Sequence, residues 1–354
     1  MLMVILGAGA SYDSYGSWVA GRQPLDRPQD YKLAEDFRPP LTKDLFTERP
    51  PVNTTTRVLP ECAGWVGHMR QLLRAHGDGR AESVEEILAS FADSADPNLS
   101  KRATLAIRLF MQHMLMECQN HWSNVVTSHV TNYGTLVVNI AVAGITEACF
   151  VSFNYDTLFE QALPNIGVTL TTLDSYIAHA SYKVVKPHGS LNWSHKVRSR
   201  VGVNAFYDDH LVAARWLIAN APDVDPSPDF TVFPSPQFAS HSSLAEGLWP
   251  AIALPIASKT EFECPDPHMN ALDACVPKVS KLLTIGWRGA ERHFLKRFAG
   301  KLPRTASTLV VGRDRKDAAD IAVRLKGAGL AGRFQSAEGG FTDSLREEIP
   351  AFLK

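Results

Sequence analysis

Val4-Ile5-Leu6-Gly7-Ala8-Gly9-Ala10-Ser11 decides the fold. Residues 1–6 form a continuous apolar run, the pattern of a strand buried on both faces of a parallel sheet. The run ends directly in Gly-x-Gly. Glycines there let the backbone approach a pyrophosphate with no Cβ in the way, and a helix starting behind them offers N–H groups and a partial positive charge. Ser11 would cap that helix or donate to phosphate. The strict dinucleotide fingerprint asks for a third glycine where Tyr12 stands, so a plain tight turn stays open as an alternative. The same run, stopped at once by glycine, reads as a strand and not as a secretory leader.

Outward from this turn the strand-then-turn pattern recurs. Strands are expected at Cys149–Phe153, Lys183–Lys186, Ala251–Leu254, Leu282–Ile285 and Thr308–Val311. Helical spacing marks Gly64–Ala75, Lys101–Cys118 and Lys316–Lys326, and Ser83-Val84-Glu85-Glu86 reads as an N-cap with acidic residues in the first turn. Strands alternating with helices predict an α/β protein: a Rossmann-like parallel sheet with helices on both faces, plus a smaller, mostly helical lobe. The expected layout is a Rossmann-like domain from residues 1–60 and 146–354, an inserted helical lobe at 61–145, and an irregular Pro-rich insertion at 196–248. Pro39-Pro40 and Pro50-Pro51 are expected to break any regular element within a loop at 21–60.

Composition narrows the function classes. The chain has 354 residues and a formal charge of -1, which excludes a generally basic nucleic-acid binder; no sequence-specific contact with nucleic acid is expected. The charge is uneven: residues 278–354 hold 16 Lys/Arg against 8 Asp/Glu, a face for an anion or an acidic partner, or simply a solvated helix surface. Five scattered cysteines include no CxxC pair, which argues against a disulfide framework and a four-cysteine zinc ribbon. The stretch 119–146, without Asp, Glu, Lys or Arg, carries too many Asn, His and Ser residues to span a membrane. A reduced, cytoplasmic protein is expected.

Three more motifs could carry chemistry. Phe153-Asn154-Tyr155-Asp156 ends a strand, where side chains of a parallel sheet face the ligand crevice; Asn154 could hold a water or a ribose hydroxyl, and Asp156 could equally be a helix N-cap. Lys186-Pro187-His188-Gly189-Ser190-Leu191-Asn192-Trp193 follows another strand, with His188 suited to proton transfer near neutrality or to a structural role. Ile285-Gly286-Trp287 again stops a strand at glycine, as a second half-site or as an ordinary turn.

In order and approximate spacing these motifs, with Pro39-Pro40-Leu41-Thr42-Lys43-Asp44-Leu45-Phe46 and Ser83-Val84-Glu85-Glu86, resemble the zinc-free, sirtuin-like NAD-consuming domains of bacterial anti-phage defence proteins over roughly residues 3–345. The resemblance implies NAD+ as substrate and no metal. It implies that Gly7, Ala8, Gly9 and Ser11 hold the pyrophosphate, that Asn154 and His188 are needed to cleave the nicotinamide–ribose bond, and that Asp156, Gly286 and Trp287 also line the NAD+ site. One of Asp26, Asp30 and Glu35 would meet the adenine ribose. The two CxxC pairs and the Gly-Ile-Pro-Asp-Phe-Arg loop of classical sirtuins are missing, which points away from protein deacylation. The expected activity is NAD+ hydrolysis to nicotinamide and ADP-ribose by a defence effector that depletes NAD+ on activation. Such domains work as homo-oligomers or beside a trigger subunit, an Argonaute-like protein or a DNA-translocating ATPase. The alternative is a non-catalytic NAD- or ADP-ribose-binding regulatory or assembly subunit. ADP-ribosyl transfer and hydride-transfer chemistry have less behind them.

Overall fold

The computed structural model describes residues 1–14, 35–75, 83–126, 131–201, 209–233, 248–256 and 262–354. Its strands are β1 (Leu2–Leu6), β2 (Ala148–Ser152), β3 (Tyr182–Val185), β4 (Gly189–Ser199), β5 (Val224–Val232), β6 (Leu248–Ile252), β7 (Lys281–Ile285), β8 (Ser307–Val311) and β9 (Arg333–Ser336). The chain divides into two compact units, one of residues 1–34, 122–188 and 264–354 and one of residues 35–121 and 189–263. The expected boundaries at 60/61 and 145/146 differ from these. The helix Pro97–Val126 passes through 121/122 without interruption, and no composition shift marks the change.

The first unit is built on a six-stranded sheet in the order β3-β2-β1-β7-β8-β9, every neighbouring pair parallel. That order, with helices around the sheet, is the Rossmann arrangement: the chain lays strands outward from β1 on one side, then returns to begin again on the other. All five residues of β1 and of β2 are buried, which is what their unbroken apolar runs demand. The switch point lies between β1 and β7, where Leu6 stands opposite Ile285.

Glycine is obligatory at this point. Gly7 donates its N–H to Ile285 O at 3.0 Å and Gly9 donates to Gly286 O at 3.1 Å. A Cβ on Gly7 would sit 2.5 Å from Gly286 O, and one on Gly286 would sit 2.2 Å from Ala10 N. Gly286 also has φ +58°. The glycines therefore let one backbone cross another with no side chain between.

The second unit contains the helices Pro50–Val58, Pro60–Ala75, Val84–Ala92 and His210–Ala219, most of Pro97–Val126, and a three-stranded antiparallel sheet in the order β5-β4-β6. Ser83 caps its helix in a full capping box with Glu86. Glu263 ties the unit together, taking Arg108 Nη1 at 3.0 Å and facing His195 Nε2 at 2.8 Å.

Three expectations are corrected here. Pro50 and Pro51 do not break structure; they open the helix Pro50–Val58, where the first-turn N–H groups have no helical partner to lose. The strand expected at Ala251–Leu254 belongs to β6, in the antiparallel sheet. Within 196–248, which is not uniformly irregular, lie the helix His210–Ala219 and β5; β5 tolerates Pro226 and Pro228 because it is an edge strand. Of the expected loop at 21–60, residues 21–34 lie outside the described residues.

Gly286→Ala should lower the denaturant midpoint by far more than Gly144→Ala, measured by urea unfolding. Gly144 has φ +69° but open space around it, so its replacement costs only the left-handed strain of roughly 1–2 kcal/mol. Gly286→Ala adds a backbone clash to the same strain.

Candidate active site

The carboxyl ends of β1, β2, β3 and β7 supply the site. Gly7 lies one residue beyond Leu6, Phe153 one beyond its partner Ser152, and Gly286 one beyond Ile285. Val151 pairs with Val185, and Asn154 and His188 each lie three residues beyond that pair. Adjacent parallel strands in register thus bring the segments that carry Asn154 and His188 to the same, carboxyl end of the sheet, though the two residues are 34 positions apart in the sequence.

Phe153 joins the turns. Its ring stacks on Trp287, 5.5 Å between centroids and 2° from parallel, and meets the His188 ring edge-on at 4.8 Å. Tyr155 stacks beside His188 at 6.3 Å. His188 is half-buried. Trp287 is buried, with its Nε1 donating to Glu291 Oε2 at 2.7 Å, so it serves here as a packed wall.

Asn154 is 5% exposed. Its Nδ2 donates to Ser11 Oγ at 2.8 Å and to Tyr133 OH at 3.2 Å, and those two oxygens are 2.8 Å apart. Its Oδ1 is buried without a hydrogen-bond partner among the described residues. Ser11 is inside its short helix, not at the cap; the N-cap is Gly7. Asp156 accepts from Leu158 N at 3.2 Å, so it does cap a local turn, and its carboxyl also meets Ser11. Gly7, Gly9 and Ala10 use their N–H groups within the protein, so a pyrophosphate here would draw on other groups of this turn.

Beneath this layer lies an ion cluster that sequence reasoning missed. Lys186 is fully buried, and its Nζ donates to Glu160 Oε1 at 2.5 Å and to Asp156 O at 2.6 Å. Burial pushes the Glu160 and Asp156 carboxyls up, and the Lys186 ammonium pulls both back down. One lysine therefore ties the loop that carries Asn154 to the loop that carries His188. Tyr133 was missed as well. It lies in the helix Asn132–Val142 with nothing in its sequence neighbourhood to mark it.

The start of the chain is pinned from several sides. Trp122 Nε1 donates to Ser14 Oγ at 3.0 Å, and Thr342 bonds Asp13 through both its N–H and its hydroxyl. Of the adenine-ribose candidates, Asp26 and Asp30 lie outside the described residues, and Glu35, in the second unit, pairs with Arg38 at 2.5 Å. Gly189 begins β4 of the second unit, so the Lys186–Trp193 motif divides between the two units. None of the five cysteines is in a disulfide, and all are buried. Among the described residues no group of three or more His, Cys, Asp or Glu could hold a metal, and no helix is long and apolar enough to cross a membrane.

No protein-family model matches the chain, and no curated protein matches it. Among solved structures it is similar to a Sir2 homologue in complex with NAD, at 14% identity and a TM-score of 0.37, over 99% of this chain and 88% of that one.

Lys186→Met should destabilise the protein by about 3–5 kcal/mol near neutral pH, because it strands buried carboxylates. The loss should shrink as pH falls, since the carboxyls, already raised by burial, then take up protons and need no cation. Urea midpoints of wild type and variant at pH 5 and pH 8 check this; an equal loss at both would contradict it.

Proposed function

We propose that the protein is an NAD+ glycohydrolase that splits the nicotinamide–ribose bond to give nicotinamide and ADP-ribose. The observation that carries this reading is the placement of Asn154 and His188 each three residues beyond a paired position of adjacent strands, next to the glycine crossing of a Rossmann switch point, with Asn154 Oδ1 buried and unpartnered among the described residues. Ligands of open α/β sheets bind outside the carboxyl ends of the strands at that point.

The chemistry asks little of the protein. Nicotinamide leaves as a neutral base from a cationic pyridinium, taking the electron pair of the C1′–N bond with it. The ribose passes through an oxocarbenium-like state, and a water oxygen bonds to C1′. Asn154 would orient that water or the ribose hydroxyls. His188 would accept the proton the water gives up, a general-base contribution of about 10²–10⁴-fold. Orientation of the bound dinucleotide supplies much of the rest. Gly7, Ala8, Gly9 and, through its backbone, Ser11 would face the pyrophosphate, Gly286 and Trp287 would back the crevice, and Asp156 would stand toward the carboxamide.

Unrestrained NAD+ hydrolysis would drain a cell. The reading therefore includes a cytoplasmic defence effector held in check until self-assembly or a trigger chain releases it, with the basic 278–354 segment as the docking candidate.

Asn154→Ala and His188→Ala should each abolish nicotinamide release from NAD+ while remaining folded by circular dichroism, the release followed by chromatographic detection of free nicotinamide. Wild-type turnover in both variants would refute the assignment. Binding of NAD+ by the wild type without any release, alone or with its partners, would favour the regulatory subunit instead.

A further inference from the structure

A side-chain amide has a donor end and an acceptor end of nearly the same size, so it serves a reacting centre only if its surroundings tell the two apart. Around Asn154 the hydrogen-bond partners do so by the number of protons available. Ser11 has one hydroxyl proton, and the Asp156 carboxylate accepts it. Burial pushes the Tyr133 phenol well above its ordinary pKa, so it keeps its proton. With the Ser11 proton committed to Asp156, the arrangement that leaves no proton unpaired sends the Tyr133 proton to Ser11 Oγ, 2.8 Å away. The two hydrogens of Asn154 Nδ2 then fall on the two remaining acceptor positions, Ser11 Oγ at 2.8 Å and Tyr133 OH at 3.2 Å. Every proton in the ring has an acceptor. A reversed amide would set Oδ1 against two oxygens whose protons are already committed, leaving buried oxygens facing one another.

Tyr133 is itself held firmly. Its ring packs edge-on against Phe159 at 5.7 Å and lies 5.8 Å from Phe341. The N-terminus of its helix is stapled to the end of the glycine turn: Asn132 N donates to Ser14 O at 3.0 Å, and Asn132 Nδ2 donates to Asp13 O and, at 2.8 Å, to Thr342 Oγ1.

We infer that Tyr133 is a positioning residue for Asn154: with Ser11 it locks the amide so that Oδ1 faces the substrate as an acceptor only, ready for a hydrogen from the attacking water or from a ribose hydroxyl. The inference deepens the glycohydrolase reading and rests on it for the identity of the substrate. Tyr133 touches no substrate. Its hydroxyl acts through the amide, and its effect belongs to the chemical step, with little in binding.

The test is Tyr133→Phe, which keeps the ring and removes one oxygen. The expected result is a fall in kcat for nicotinamide release of about 10–100-fold with KM for NAD+ within about two-fold of wild type, the scale of one lost buried hydrogen bond at a reacting centre. The second readout needs no turnover: in protein labelled with ¹⁵N-asparagine, both Asn154 side-chain protons should exchange slowly in the wild type and at least one should exchange fast in Tyr133→Phe. An unchanged kcat, or exchange that stays slow in the variant, overturns the inference. If the wild type hydrolyses no NAD+ but the exchange changes as expected, the lock stands and the glycohydrolase reading falls. Should Tyr133→Phe fail to fold, Ser11→Ala removes the oxygen the ring shares, and fast exchange of at least one Asn154 side-chain proton is expected there too; exchange that stays slow overturns the inference.

Discussion

Backbone against backbone at the β1–β7 switch point is the constraint on which the rest depends. Gly7 and Gly9 lie so close to Gly286 that no side chain fits on either side. The contact fixes the direction of the chain as it leaves β1 and sends Ser11 into the interior, 2.8 Å from Asn154 Nδ2. Register does the remainder. Once β1 pairs with β2 and β2 with β3, the strand ends that lead into Phe153, Asn154 and His188 lie side by side. A dinucleotide-binding turn is usually explained by the ligand's need for close approach. Here the protein's own packing already requires the glycines, and the ligand would profit from a turn that folding demands in any case.

The site is expensive to build. It buries an amide, two hydroxyls, a lysine and two carboxyl groups at the end of an apolar sheet, and each group left unpaired would cost free energy. The Lys186 cluster offsets that cost for the charges, and the Ser11–Tyr133–Asn154 ring offsets it for the neutral groups. The one exception within the ring, Asn154 Oδ1, is where a reacting partner would be expected.

Much of the first unit was legible in the sequence because its apolar runs stop sharply, at glycine after β1, β7 and β8 and within two residues at Asn154 or Pro187 after β2 and β3. Five of its six strands and the helix after β8 were readable that way; β9 was not, since Arg333-Phe334-Gln335-Ser336 is short, polar and half-exposed at a sheet edge. The second unit was harder. Pro50-Pro51 and the prolines of β5 look like breakers, and only the first turn of a helix or the edge of a sheet makes them harmless. Which residues follow the strand ends of the first unit was legible, because the topology places those ends side by side. Tyr133 and the pairing of Lys186 with Glu160 were not, because each depends on contact between segments that no local pattern connects. Lys186 stood in a quoted motif, yet its role follows only from the carboxyls packed against it.

The account stands or falls on whether Asn154 and His188 address the same carbon. The most direct measurement is a crystal structure with a carbocyclic NAD+ analogue, in which the scissile bond cannot break. The account predicts the nicotinamide-bearing ring between the two side chains, with Asn154 Oδ1 and a His188 ring nitrogen each within about 3 Å of a ring hydroxyl or of one water beside C1′. An analogue bound elsewhere, or bound at the switch point with either side chain out of hydrogen-bond reach of that sugar, would contradict it.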